Sequence, residues 1–209
     1  MQIHTLTLGV CMTNCYVVSS DGVHCAVIDP ASDPDRIISA IRKHSYTPDA
    51  ILLTHAHFDH IYALPGLLEQ YDIPVYLHKD EVPALTDMRL NLSQSLFYTP
   101  FVFTGPVHAL SDGETVSAAG TDFLTWHTPG HTAGSVCYIN YAEKVIFSGD
   151  TLFASSVGRT DFPGGDTATL LKSLKRLSAL GDTGDYAVYP GHNAATSLSR
   201  EKRTNEYMQ

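Results

Sequence analysis

Cysteine is scarce in this chain of 209 residues, which contains 4. None belongs to the C-x-x-C pair of a zinc ribbon. The closest two, Cys11 and Cys15, are separated by three residues. This scarcity argues against a disulfide scaffold and against a closed thiolate zinc site. We expect reduced, mostly buried thiols, and the alternative for Cys11 is an oxidisable position beside the functional site.

Positive charge is also in short supply, since 13 Lys and Arg residues face 22 Asp and Glu residues and the formal net charge is -9. Proteins that bind nucleic acids normally carry a basic stripe that follows the phosphate backbone. We therefore expect no nucleic-acid partner. A small-molecule substrate suits this composition better.

Long apolar runs are missing as well, because no stretch reaches the roughly 18 residues that a membrane-spanning helix needs. The opening residues, M-Q-I-H, lack the basic segment followed by an apolar one that a secretory signal shows. We expect no membrane association and a cytoplasmic location. With 44% hydrophobic residues the chain can bury a sizeable core, and residues 1–209 are predicted to form one domain.

Histidine is abundant, with 11 residues, and four potential metal ligands crowd into the motif T-H-A-H-F-D-H at residues 54–60. These ligands are His55, His57, Asp59 and His60. The motif follows the apolar run I-L-L, so a buried strand should end where the motif begins. Closely spaced ionisable groups lose hydration and repel one another on burial unless a cation compensates. The mixture of imidazole and carboxylate indicates zinc, iron or manganese.

Three more candidate ligands, His131, Asp150 and His192, each follow an apolar segment and a turn of small residues. Rigid strands that end in variable loops are where enzymes commonly place their chemistry. We therefore expect these three side chains to join the first four. The other histidines are interpreted as ordinary core or surface residues: His4, His24, His44, His78, His108 and His127.

Four motifs together resemble a known family: H-A-H-F-D-H, T-P-G-H-T at 128–132, S-G-D-T-L-F at 148–153 and P-G-H at 190–192. They look like the metallo-β-lactamase superfamily, and within it the single-domain glyoxalase II-like hydrolases. The resemblance implies an α/β fold, a four-layer αββα sandwich. Hydrophobic periodicity alone indicates only a mixture of helices and strands.

The resemblance also implies two metal sites joined by one carboxylate. The ligand sets would be His55, His57 and His131 for one ion, Asp59, His60 and His192 for the second, and Asp150 as the bridge. Two divalent ions are expected, zinc first, with iron or manganese as alternatives. In the β-lactamases of this superfamily a Cys or Ser commonly stands where Asp150 stands here, so the resemblance favours thioester or phosphodiester hydrolysis over antibiotic hydrolysis.

The expected reaction is therefore that of a glyoxalase II-type thioesterase, which cleaves S-D-lactoylglutathione or a related hydroxyacyl thioester. Two ions held close together can share a hydroxide at neutral pH, and this hydroxide is the expected nucleophile. The expected catalytic carboxylates are Asp59, which orients the hydroxide, and Asp150, which bridges the ions.

Arg159 is the predicted substrate-binding residue, because two-domain glyoxalase II enzymes carry at the matching position a Lys that holds a glutathione carboxylate. A guanidinium fork suits that task. The alternative is that Arg159 only fixes its own loop through Asp161 or Asp166. The helical domain that supplies further glutathione contacts in those enzymes has no counterpart before the chain ends at Gln209.

Two other functions are weighed against the hydrolase. Persulfide dioxygenases share the expected fold and the G-R-T-D-F segment at 158–162, and would hold one iron through His55, His131 and Asp150. A purely structural metal site is the third interpretation, but structural zinc sites are usually closed by four ligands, whereas seven ligands around two ions leave open positions. The oligomeric state is left open.

The pattern of apolar residues predicts a helix that Asp33 caps and Pro34 opens, with three isoleucines on one face, and a second helix that reaches Tyr71. A third helix is predicted at about 167–180. Strands are predicted near residues 3–8, 14–19, 25–28, 50–53, 75–77, 115–118, 123–128, 136–141, 144–148 and 186–189. The segment 79–106 is predicted to be irregular and to form a lid, a dimer contact or core packing. Its apolar side chains are Leu92, Leu96, Phe97, Phe101 and Phe103.

Overall fold

The computed structural model describes residues 1–96 and 100–209, and it contains two six-stranded sheets. The first sheet consists, in spatial order, of β1 Gln2–Leu8, β2 Thr13–Ser19, β3 His24–Ile28, β4 Thr47–Leu52, β5 Val75–His78 and β6 His108–Leu110. The second consists of β7 Thr115–Ala118, β8 Thr121–His127, β9 Val136–Asn140, β10 Val145–Gly149, β13 Ala187–Pro190 and β14 Thr196–Ser197. A small hairpin pairs β11 Leu152–Phe153 with β12 Ser156–Val157.

The helices flank these sheets. They are α1 Pro34–Lys43, α2 Phe58–Ile61, α3 Leu64–Gln70, α4 Ser93–Leu96, α5 Thr167–Leu180 and α6 Leu198–Thr204. Three short 3₁₀ segments cover Lys79–Leu85, Gly181–Thr183 and Glu206–Met208. Among the described residues, no helix combines the length and the apolar character that crossing a bilayer requires.

Three apolar layers separate four structural layers. Because successive strand residues point to opposite faces, Val17 packs in one apolar layer and its neighbour Val18 in the next. The first apolar layer joins the first sheet to α1 and α3, the second lies between the two sheets, and the third joins the second sheet to α5. This arrangement is the predicted αββα sandwich, which is therefore confirmed.

The start of α1 differs from the prediction in one respect. Asp33 precedes the helix, but its backbone lies in the left-handed region at φ 50° and its side chain makes no capping bond. The carbonyl of Asp33 accepts the N–H groups of Arg36 and Ile37 instead. The predicted side-chain cap is therefore wrong, whereas Pro34 opens the helix and the three isoleucines are buried as expected.

The helix predicted to reach Tyr71 is divided into α2 and α3. α2 is a single turn of four residues that begins directly after His57, and α3 begins with a Pro in its first turn. The division separates a short turn that carries ligands from a longer helix that packs on the core.

The segment 79–106 is partly core. Phe103 is buried in the apolar layer beneath α1 and α3, and Phe101 is half-buried with its ring against Tyr62. Leu92 is buried and borders the cavity described below. Phe97 lies outside the described residues, as does the side chain of Leu96.

Candidate metal centre

Seven side chains converge at one edge of the sandwich, where strands from both sheets end. β4 leads into the loop that carries His55 and His57, and α2 follows at once with Asp59 and His60. On the other sheet, β8, β10 and β13 are each followed within a few residues by one ligand. These ligands are His131, Asp150 and His192. The structure therefore brings together all seven residues that the sequence selected.

The first group of three is formed by His55, His57 and His131, all buried. Nδ1 of His57 lies 3.1 Å from Nε2 of His55 and 3.0 Å from Nε2 of His131. Burial, reinforced by neighbouring imidazoles, lowers the pKa of His55 far below its usual value and that of His57 to about 3. These two imidazoles are therefore neutral at pH 7, with lone pairs free to bind a cation.

The second group of three is formed by Asp59, His60 and His192. Oδ2 of Asp59 lies 3.4 Å from Nε2 of His192 and 3.7 Å from Nε2 of His60. Burial lowers the pKa of His192, but the carboxylates of Asp150 and Asp59 outweigh it and raise that pKa to about 9. The carboxylates of Asp59 and Asp150 therefore make this part of the centre attractive to a cation.

Asp150 lies between the two groups. Its Oδ2 is 3.4 Å from Nε2 of His131 and 3.5 Å from Nε2 of His192, and its Oδ1 is 3.5 Å from Nε2 of His60. One carboxylate thus reaches both sets of ligand atoms. Burial raises the pKa of Asp150, yet His60 and His192 more than offset it and hold the pKa well below its ordinary value.

These residues fit divalent cations. Nε2 of His60 and Oδ1 of Asp150 are buried and have no hydrogen-bond partner, which is costly unless another group binds them. Zinc–nitrogen bonds of about 2.0 to 2.1 Å in a tetrahedron place two ligand atoms roughly 3.4 Å apart. The distances between neighbouring ligand atoms here are 3.0 to 3.7 Å.

A surrounding layer of hydrogen bonds orients the ligands. Nδ1 of His60 lies 2.9 Å from Oδ2 of Asp29, and this contact fixes the ring with Nε2 toward the centre. Nδ1 of His131 donates in the same way to the carbonyl of Arg159, at 2.7 Å. The hydroxyl of Thr13 donates to Oδ2 of Asp59, at 2.7 Å.

Neither Asp29 nor Thr13 was predicted from the sequence. A usable signal exists for Asp29, because it follows β3 directly, as the ligands follow their own strands. No comparable signal exists for Thr13, the first residue of β2, which reaches Asp59 of α2 only in the folded protein.

The turn before His192 is packed too closely for any residue except glycine at Gly191. A Cβ there would lie 2.3 Å from Oδ1 of Asp150 and 2.7 Å from Cε1 of His60. The first sheet holds this turn through Asn14, whose side chain and backbone amides donate to the carbonyls of Pro190 and Gly191. The close approach fixes His192 beside the bridging carboxylate.

Arg159 lies at the wall of the centre, but its guanidinium is already engaged. Its Nε donates to Oδ1 of Asp161 at 2.6 Å, and its Cζ lies 3.9 Å above the ring centroid of Phe162. This pairing matches the alternative in which Arg159 fixes its own loop. The side chain is 58% exposed, so it can exchange Asp161 for another carboxylate.

A cavity of about 480 Å³ opens onto the ligands. Among the residues that line it are Cys11, Leu92, Phe153, Arg159 and Phe162. Two cavities are larger: one of about 810 Å³, bordered by β7, β8 and β9, contains none of the ligands, and one of about 700 Å³ contains only Asp59. The cavity of about 480 Å³ contains five of the ligands and is therefore the relevant site.

The four cysteines are free thiols, as expected. Cys11 borders the cavity, and burial, followed by the nearby Asp59 carboxylate, raises the pKa of its thiol to about 11. A neutral thiol is a poor nucleophile and a poor target of oxidation. The prediction that Cys11 lies beside the site is met, but its environment disfavours reactivity.

Known proteins resemble the chain over most or all of its length. The family model described as "Metallo-beta-lactamase superfamily" matches residues 8–192. The chain is 38% identical to "Probable metallo-hydrolase YqgX" of Bacillus subtilis, with 100% of the chain and 98% of that protein covered. It is 31% identical to "Hydroxyacylglutathione hydrolase GloC" of Haemophilus influenzae, with the same coverage.

Solved structures give a consistent result. The BLEG-1 B3 metallo-beta-lactamase superposes with a TM-score of 0.93 at 37% identity, with 100% of both chains covered. TTHA1623 in a di-iron-bound form gives 0.85 at 38%, with 98% of this chain and 99% of that chain covered. ETHE1 from Myxococcus xanthus gives 0.78 at 27%, with 99% and 84% covered.

Proposed function

Because this chain belongs to the metallo-beta-lactamase superfamily, we propose that it is a two-metal hydrolase of glyoxalase II type. Its proposed substrate is S-D-lactoylglutathione or a related hydroxyacyl thioester. The observation that carries the proposal is the position of Asp150, whose carboxylate lies within 3.5 Å of ligand atoms from both groups of three.

The residues would hold two cations side by side. Such a pair, when bound, activates a water molecule at neutral pH and polarises the carbonyl to be attacked. His55 and His57 supply neutral nitrogens, and Asp150 supplies the charge that is shared between the sites. Relatives support this assignment, since TTHA1623 has been solved in a di-iron-bound form.

Asp59 is the proposed orienting residue for the attacking water. Its Oδ2 already accepts a hydrogen bond from Thr13 and lies toward His192. A carboxylate fixed in this way accepts a hydrogen bond from the water and aims one of its lone pairs at the substrate carbonyl. The chain then needs no Ser or Cys nucleophile, which agrees with the neutral thiol of Cys11.

The substrate would lie in the cavity of about 480 Å³, with its thiol arm along the loop that carries Arg159. We propose that a carboxylate of the substrate displaces Asp161 from the Arg159 guanidinium. Phe162 stays beneath the guanidinium and keeps it oriented. The similarity to GloC supports a hydroxyacylglutathione-type substrate.

Persulfide oxidation is the second candidate, because the chain carries the G-R-T-D-F segment of persulfide dioxygenases at 158–162. The chain also resembles ETHE1 along 99% of its length. That function would use one iron held by His55, His131 and Asp150. The four other convergent side chains, His57, Asp59, His60 and His192, would then have no metal to bind. Their convergence, and the burial of His57 and His60, favour the two-metal hydrolase.

The reaction can be tested directly on the purified, metal-loaded protein. We expect release of free thiol from S-D-lactoylglutathione under anaerobic conditions, with no oxygen uptake from glutathione persulfide. A β-lactam serves as a control substrate, since BLEG-1 is described as a B3 metallo-beta-lactamase. Sulfite formation that requires oxygen, without thiol release, would replace the hydrolase with the dioxygenase.

A further inference from the structure

Glu81 is a buried carboxylate that the proposed chemistry does not use. It belongs to the 3₁₀ segment Lys79–Leu85, which follows β5, and it is 3% exposed. Glutamate is almost never buried so completely without a specific partner. Among the described residues it forms no ion pair with a cationic side chain.

The partners of Glu81 include two backbone amides, one from each histidine loop, and the side chain of Thr132 in the second loop also hydrogen-bonds to it. Oε2 accepts the N–H of Ala56 at 2.9 Å, and Oε1 accepts the N–H of Gly134 at 2.8 Å. Ala56 stands between His55 and His57, and Gly134 follows His131 by three positions. One carboxylate thus connects the loop of the first sheet to the loop of the second.

The contact at Gly134 is tight. A Cβ on Gly134 would lie 2.7 Å from the backbone nitrogen of Glu81 and 2.8 Å from its Cγ. Any larger residue at Gly134 would push its loop away from the 3₁₀ segment that carries Glu81. A second contact supports the same loop, because the ring of His127 stacks on His78 and its Nε2 donates to the carbonyl of Ala133, at 2.9 Å.

The chemistry of the contact requires a carboxylate. Two N–H donors face Glu81, and a carboxylate offers an acceptor oxygen to each. A glutamine of the same size offers one oxygen and one NH₂, so one of the two amides would meet a donor instead of an acceptor. An aspartate is shorter by one methylene group and cannot span both loops without movement.

We propose that Glu81 is a positioning residue for the first ligand group, because its two oxygens set the spacing of the loops that carry His55, His57 and His131. The three ligand nitrogens then converge on one cation without reorganisation. The inference rests on the proposed function only in requiring a cation at these three histidines. It assigns no contact between Glu81 and the substrate.

The test is Glu81→Gln, compared with Glu201→Gln as a matched control. Glu201 is 0% exposed and also accepts bonds through both oxygens, from Ser155, Thr196 and Asn205, but it contacts neither histidine loop. Both variants are made in the full chain that also carries His192→Ala. This change weakens the second site, so the tightly bound Zn²⁺ is the ion at the first ligand group. Zn²⁺ affinity is measured by competition with a chromophoric chelator, and Tm is recorded for each variant.

We expect Glu81→Gln to weaken Zn²⁺ binding about 10- to 100-fold, the usual loss when a group that orients metal ligands is removed. Glu201→Gln should lower Tm and leave the affinity unchanged. The Co²⁺-loaded Glu81→Gln protein should also show a changed visible spectrum, which a simple loss of stability would not produce. Unchanged affinity in Glu81→Gln, or equal affinity losses in both variants, would overturn the proposal.

A measurement on the wild-type protein covers the case in which Glu81→Gln does not fold. The amides of Ala56 and Gly134 should exchange slowly with solvent in the metal-free protein, because Glu81 accepts both. Rapid exchange of either amide would overturn the proposal. A wild-type protein that binds no Zn²⁺ would refute the proposed function as well, whereas normal binding by Glu81→Gln would refute only the role of Glu81.

Discussion

At the scale of single residues, Asp150 has the widest influence, because both ligand groups depend on its carboxylate. Asp150→Ala should therefore weaken both metal sites, each by more than the roughly 10- to 100-fold expected for the loss of an orienting group. His192→Ala should weaken mainly the second site. Metal content after dialysis against a weak chelator distinguishes the two variants, because His192→Ala should keep the first metal and Asp150→Ala should lose it. Equal retention of the first metal in both variants would contradict the bridging role.

Arg159 is the residue proposed to bind the carboxylate of the substrate. Arg159→Ala should raise KM about 10- to 150-fold for thioesters that carry carboxylates, because a charged hydrogen bond contributes about 1.5 to 3 kcal/mol. The kcat should change little, since the contact is remote from the reacting carbonyl. Arg159→Lys should recover part of the loss.

Two comparisons control this experiment. Asp161→Asn removes the present partner of the guanidinium and should lower KM or leave it unchanged. The KM for a thioester without carboxylates should be unchanged by Arg159→Ala. Equal losses on both kinds of thioester would show that Arg159 only supports its loop.

The sequence predicted the seven convergent side chains because each is a strong ligand that follows an apolar run, either within one dense motif or after a turn of small residues. It did not predict Asp29, Thr13 or Glu81, whose partners are distant in the chain. An acidic residue between two predicted elements has many ordinary explanations. Only the folded contacts show that Glu81 accepts amides from two histidine loops.

At the scale of elements, the segment 79–106 divides into core and cavity wall. Phe103 is 6% exposed within the apolar layer beneath α1 and α3, so Phe103→Ser should destabilise the protein by about 3 to 5 kcal/mol. Kinetic constants of the folded fraction should remain normal. Phe101→Ser should cost less, because Phe101 is only half-buried against Tyr62. Urea unfolding measures both, and a raised KM with unchanged stability in Phe103→Ser would support a lid.

Elements with a long periodic pattern were predictable. α5 spans Thr167–Leu180 as expected, because its buried leucines recur at helical spacing and Asp166 caps it by accepting the amide of Thr169. The strands β6 and β14 contain three and two residues and were not predicted, since such short strands show no period. The predicted Asp33 cap is absent, because a capping residue normally has an extended backbone and Asp33 lies in the left-handed region.

At the scale of the whole molecule, the ligands come from both halves of the sandwich, so bound cations should connect the two sheets. Removal of the metals should therefore lower the free energy of unfolding, by about 2.7 kcal/mol for each site that was held at 100 times its Kd. Thermal melts with and without a chelator measure the effect. Asp150→Ala should show a much smaller difference, and an identical Tm for wild type with and without metal would contradict the coupling.

The layering of the fold was available only through the family resemblance. Central strands such as β2, β3 and β10 are buried on both faces, so they show no alternation from which a sheet face could be inferred. The single-domain organisation, the cytoplasmic location, and the absence of nucleic-acid and membrane partners stay predictions from composition. The thiol-release assay and the Arg159 variants are the experiments that bear on the acyl group and the thiol carrier.

Anomalous diffraction from crystals of the zinc-loaded protein can show whether two cations share Asp150. We expect two peaks about 3.5 to 4 Å apart, the spacing typical of two-metal hydrolytic sites. One peak should lie among His55, His57 and His131, the other among Asp59, His60 and His192, with the Asp150 carboxylate between them. A single peak at full metal loading, held by His55, His131 and Asp150, would contradict the account.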